Sequence, residues 1–136
     1  MSADRSLLGT AVDEVIRYSS PILYFRRTAT RDTEVSGTSV AAGDKLVMWY
    51  AAANFDAQQF DDPMRFDAAR PQTPAHVAFG GGGAHFCLGA ALARMELVEL
   101  LDEFLDRSLT LDIVGEPEFV DSNFVNGIDY LDVELR

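Results

Sequence analysis

Apolar residues change their spacing several times along this chain, and each change marks an element. From Thr10 to Tyr18 the segment TAVDEVIRY places Val12 and Ile16 four apart among polar residues. It starts after Gly9 and stops before Ser19-Ser20-Pro21, which predicts a short helix. Between Ile22 and Tyr50 β-branched and aromatic residues are interrupted at Ser36-Gly37-Thr38 and Ala42-Gly43-Asp44. That pattern predicts three or four short strands joined by turns, with Lys45 to Tyr50 the clearest. Ala51 to Ala75 holds Pro63, Pro71 and Pro74 among aspartates and aromatics and reads as a long packed meander rather than an element. The strongest periodicity follows: Leu88, Ala91, Leu92, Met95, Val98, Leu101 and Leu105 recur at threes and fours through good helix formers. A helix is expected from Leu88 to Asp106, with Arg94, Glu99 and Asp102 on a far face, solvated or paired. Leu109 to Val114 and Tyr130 to Leu135 alternate like strands, and Asn126-Gly127 between them is a hairpin signal. The expected class is α+β.

Composition narrows the partners. The 136 residues, 48% of them hydrophobic, suffice for one unit with a core. A formal charge of -11 argues against nucleic acid or an anionic membrane surface, which reward clustered Lys and Arg. No apolar run reaches the ~18 residues of a membrane span, and no charged-then-apolar leader is readable. A cytoplasmic location is the resulting expectation. A single cysteine permits no internal disulfide, in keeping with a reducing compartment.

That cysteine carries the chemistry. Phe79-Gly80-Gly81-Gly82-Gly83-Ala84-His85-Phe86-Cys87-Leu88-Gly89 gathers five of the ten glycines, four of them consecutive, and delivers Cys87 to the expected helix start. Free N–H groups and the helix dipole there would stabilise a thiolate, a soft anionic ligand. Other readings are weaker. A lone cysteine before an apolar helix is commonly a buried small hydrophobe. His76 and His85 could join Cys87 on zinc, but a structural site wants a fourth ligand and none is placed. The glycine run resembles a phosphate loop, yet no Gly-Lys-Ser/Thr follows.

Taken together, Phe79 to Gly89, the Glu14-Val15-Ile16-Arg17 segment upstream, Asp62-Pro63-Met64-Arg65-Phe66 with Arg70, Ala90 to Glu96 and Ser122 to Gly127 resemble the cytochrome P-450, or haem-thiolate monooxygenase, superfamily in order and spacing. Phe79 lies eight residues before Cys87, one more than in the commonest form of the loop. That spacing, with Phe25 to Asp32 and Ala53 to Asp56, is most similar to actinobacterial members acting on sterol side chains and methyl-branched lipids.

The resemblance implies roles. Cys87 would be the axial thiolate of haem iron, with the Leu88 and Gly89 N–H groups near its sulfur. Phe79, Gly82 and Gly89 would shape the cofactor's bed. Arg27 and His85 would meet the propionates. Glu14, Arg17 and Arg70 would form a structural ion-pair network. Ile22, Leu23, Tyr24, Phe25, Phe124 and Val125 would line a substrate pocket. The reaction implied is insertion of one oxygen atom into a C–H bond of a lipid or sterol-like molecule, with electrons from a ferredoxin and its reductase. In the family the helix carrying an acid–threonine pair precedes the E-x-x-R helix. Ala29 to Thr33 has a similar composition but lies after it, among strand and turn residues, so it is no substitute. Residues 1–136 are therefore expected to be a single partial domain, the C-terminal third of such an enzyme. On that reading the isolated chain would be inactive, would hold haem poorly and would self-associate. A non-catalytic remnant, or one piece of a split enzyme, is the alternative.

Overall fold

A computed structural model describes residues 4–136. A 3-10 turn at Arg5–Leu7 opens it, capped by the Asp4 carboxylate, which accepts the Ser6 N–H at 3.0 Å. Helix α1 follows at Leu8–Ser19 and ends where Ser20 turns left-handed, its N–H returning to the Ile16 carbonyl. Strands β1 (Tyr24–Thr28), β2 (Thr33–Val35), β3 (Thr38–Val40) and β4 (Lys45–Trp49) come next. Strand β1 pairs antiparallel with β4, and β2 with β3. The β2–β3 turn places Ser36 and Gly37 both at positive φ, the geometry that matches the twist of a two-residue hairpin. Helix α2 (Tyr50–Asn54), helix α3 (Ala90–Asp106) and an antiparallel pair, β5 (Leu111–Phe119) with β6 (Ile128–Leu135), complete the order. The fold is α+β, with small antiparallel pairs around a helical core.

The core is where α1 crosses α3. Val12 and Ile16 of α1 pack with Ala78, against Phe79, Leu97, Val98 and Leu101. Arg94, Glu99 and Asp102 are paired or solvated as expected, but Arg94 lies on the side of α3 that meets α1 rather than on a far face. The face toward the rest of the chain runs through Ala90, Arg94, Leu97, Val98 and Leu101, so Arg94 meets α1, and Asp102 pairs with Arg5. Leu92 and Met95, from the same periodic series, are exposed. Leu88 is fully exposed and precedes the helix, which begins at Ala90.

Three further expectations change. Ala51 to Asn54 is helical, because the Tyr50 and Ala51 N–H groups both return to the Leu23 carbonyl and start a turn at the end of β4. Strand β5 runs on to Phe119 through an irregularity at Gly115 and Pro117. Asn126-Gly127 is not a tight hairpin turn. The strands are joined by residues 120–127, and Asn126 docks on the end of α1, donating from its backbone to the Pro21 carbonyl and from its side chain to Ser19.

The irregular stretch between α2 and α3 is held by a buried ion-pair network. Arg17 grips Glu14 through two bonds of 2.7 and 2.8 Å on one helix face. Arg70 reaches the same carboxylate at 3.0 and 3.1 Å, and the Asp67 N–H donates to it at 3.0 Å. The other Arg70 nitrogens bond the carbonyls of Asp61, Asp62 and Arg65, tying the meander to one guanidinium. Arg17 also donates to the Asn54 carbonyl, while the fully buried Asn54 side chain joins the Ser20 hydroxyl to the Val77 N–H. Phe55 and Phe60 stack on the Arg17 guanidinium at 5.2 and 5.3 Å.

Burial favours the neutral Glu14 acid, but the bonds from Arg17, the Asp67 N–H and Arg70, with the Arg17 charge, outweigh it and hold the pKa below the usual glutamate value. A depressed folded pKa makes its contribution full above the unfolded value and lost as pH falls through the folded one. Glu14→Gln, which leaves the buried Arg17 and the partly buried Arg70 without their counter-charge, is expected to cost about 3–5 kcal/mol. A urea melt of both proteins checks this. The wild type should lose stability on acidification below the carboxylate range, and the variant should lack that component.

Candidate functional site

The glycine loop runs from the core to α3. Gly80, Gly82 and Gly83 all sit at positive φ, which explains the run: L side chains are strained there. At Gly80 a Cβ would stand in ordinary contact, 3.6 Å from the Tyr50 hydroxyl and 3.8 Å from the His85 carbonyl, so the positive φ rather than lack of room calls for glycine. The Cys87 N–H donates to the Phe79 carbonyl at 3.0 Å, closing the loop on itself, and the Ala90 N–H then donates to the Cys87 carbonyl at 3.2 Å as α3 begins. Cys87 is a free, exposed thiol. Gly89 lies beside it, where a Cβ would stand in ordinary contact with Sγ at 3.9 Å.

A largely apolar cavity of about 600 Å³ opens at this sulfur. Phe79, His85 and Cys87 form one side, Ile22, Phe25 and Arg27 another, with α1 and α3 behind. Among the described residues Arg27 makes no ion pair; its one side-chain bond goes to the Arg26 carbonyl. The cavity thus combines a soft ligand, two nitrogen-bearing side chains and apolar walls. Gly82 shapes the loop without lining the cavity. Leu23, Tyr24, Phe124 and Val125 also stand outside its wall. The Leu23 N–H bonds the Phe124 carbonyl, Ile22 bridges to Val125, and the Phe124 ring meets Tyr24 and Phe25 edge-on at 5.7 and 5.5 Å. They back the wall that Ile22 and Phe25 present. The pattern missed Tyr50, which lines the cavity. Its position at the junction of β4 and α2 was hidden by reading that helix as loop.

The family profile for cytochrome P450 matches residues 1–124. The chain belongs to the cytochrome P450 family. It is 49% identical over 127 residues to a methyl-branched lipid omega-hydroxylase of Mycobacterium tuberculosis, covering 93% of this chain and 29% of the relative. A steroid C26-monooxygenase of Rhodococcus jostii is 41% identical, with 27% of its length covered. Among solved structures, cytochrome P450-153 from Novosphingobium aromaticivorans superimposes with a TM-score of 0.94 at 43% identity, over 99% of this chain and 34% of that one. This P450 chain therefore spans under a third of the curated relatives it matches. No helix among the described residues is long and apolar enough to cross a membrane.

No cluster of three or more metal-ligating side chains is found among the described residues. His76 is engaged elsewhere. Its Nδ1 accepts the Ala78 N–H at 3.2 Å, so Nε2 carries the proton toward Asp13 at 3.3 Å. Burial lowers its pKa more than the Asp13 hydrogen bond and charge raise it.

In this P450 chain the His76 carbon-proton resonances, followed by NMR, are expected to titrate below the ordinary histidine value. A buried neutral histidine opposes protonation, so stability is lost as pH falls from the unfolded value toward the folded one. A midpoint above the ordinary value would show the Asp13 carboxylate dominating instead.

Proposed function

We propose that this chain is the cofactor-holding part of a haem-thiolate monooxygenase acting on a lipid or sterol-like molecule, with Cys87 as the axial thiolate. The observation that carries this reading is the convergence of an exposed free thiol, Arg27 and His85 on one apolar cavity. The residues fit the group. The volume falls within the roughly 300–1,000 Å³ of cofactor-sized sites. A thiolate suits iron, and the unpaired Arg27 with His85 suits the carboxylate edge of the macrocycle. When bound, haem supplies the reductive activation of dioxygen that inserts one oxygen atom into a C–H bond.

The chain's own contribution is to position and to exclude water. The Cys87 backbone, tied to Phe79, fixes the sulfur. Arg27 and His85 hold the anionic edge. Phe79, Tyr50, Ile22 and Phe25 line the same cavity and would present apolar surface to the bound group. Glu14, Arg17 and Arg70 do no chemistry; they keep the meander and the loop in register. The lipid or sterol class rests on the methyl-branched lipid and steroid enzymes this chain resembles. Electrons would come from a ferredoxin and its reductase.

A second reading, a remnant or one piece of a split enzyme, is favoured by the exposed Leu92, Met95, Ile113 and Phe119. Such apolar surface seeks a partner, and for this chain alone it predicts self-association.

Titration of the 136-residue chain with haemin is expected to show weak uptake that depends on Cys87 and no stable stoichiometric thiolate complex. The reduced carbon monoxide spectrum, compared between wild type and Cys87→Ser, reads this. Equal spectra in the two proteins would sink the ligand assignment. Tight stoichiometric binding would show that the 136 residues close the site unaided. Light scattering is expected to find particles larger than a monomer.

A further inference from the structure

Asp13, beside Glu14 in the sequence, faces a different set of partners. Its Oδ1 accepts from Arg94 Nε of α3 at 2.7 Å and from His76 Nε2 at 3.3 Å, and its Oδ2 accepts from Gln72 Nε2 at 2.6 Å. One carboxylate on α1 therefore gathers the loop before the glycines and the first turns of α3. Two of those partners meet a single ring. The Arg94 guanidinium lies 4.8 Å from the Phe79 centroid, and the His76 ring stands 5.8 Å from it. The Phe79 carbonyl in turn accepts the Cys87 N–H.

We propose that Asp13 is a positioning residue for Cys87, acting through Arg94 and His76 to fix the Phe79 ring and, through the Phe79 carbonyl, the backbone of the thiol. Magnitudes separate this from a general stabilising role. Arg94 is 38% exposed and Asp13 18%, so solvent screens the pair and it adds little to global stability. Its effect is local. A guanidinium held over an aromatic face has one favoured geometry, and a carboxylate that binds Nε leaves the flat face of the fork free to lie on the ring. His76, kept neutral by burial, completes the clamp from the same oxygen without adding charge next to Arg94. The importance of the clamp rests on reading Cys87 as the iron ligand, but the contacts themselves do not.

Amide hydrogen exchange of the 136-residue chain without haem tests it. In Asp13→Asn and in Arg94→Gln the Cys87 amide is expected to exchange about tenfold faster, while the Ser20 amide, bonded to Ile16 on α1, stays within about twofold of wild type. Asp13→Glu should restore most of the protection. Unchanged protection at Cys87 would overturn the proposal, and so would equal acceleration at both amides, which would mean loss of global stability. Should Asp13→Asn fail to fold, Arg94→Lys keeps the charge, loses the planar fork and is read by the same comparison. Because no haem is present, a failure of cofactor uptake leaves this result standing.

Discussion

A single carboxylate out of water, Glu14, is the constraint on which the remaining architecture leans. Removing a charge from water is costly, and the cost is met only where hydrogen bonds saturate the group. Arg17, Arg70 and the Asp67 N–H do so, and each brings its own segment. Arg17 recruits Asn54 and thus α2. Arg70 recruits three carbonyls of a meander that has little regular structure of its own. That stretch leads directly to Ala78, Phe79 and the glycine loop. The course of the chain toward Cys87 therefore depends on an ion-pair network that joins Glu14 and Arg17 of α1 to Arg70 of the meander.

What could be read from the residues alone follows the same logic. Helix α1, the four short strands before Tyr50 and most of α3 show in local periodicity, because each buries a face set by residues close in sequence. The facing of α3 did not show. Arg94 reads only as a polar position to be solvated or paired, and it turns toward α1 because the Asp13 carboxylate stands there, a fact of tertiary contact. Asn126-Gly127 has the composition of a tight turn, but its amides find carbonyls at the end of α1 before they find a hairpin partner. Tyr50 was hidden for a related reason: alanines after a strand carry no stripe to mark a five-residue helix.

The site divides in the same way. Cys87, His85 and Phe79 stand close together in one loop, and resemblance to a known motif brought in Arg27 from a distant strand. The cavity they share could not be read from spacing, nor could the separation of Ile22 and Phe25, which face it, from Tyr24 and Phe124, which stand behind. Asp13 escaped notice because an acid beside an acid on a helix looks like solvated surface. Only the three donors converging on it distinguish it.

Iron K-edge absorption of the haem-loaded protein, at concentrations that drive binding, addresses the central claim most directly. The account predicts one sulfur neighbour in the iron shell of wild type and none in Cys87→Ser. Nitrogen and oxygen neighbours alone in both proteins would contradict it.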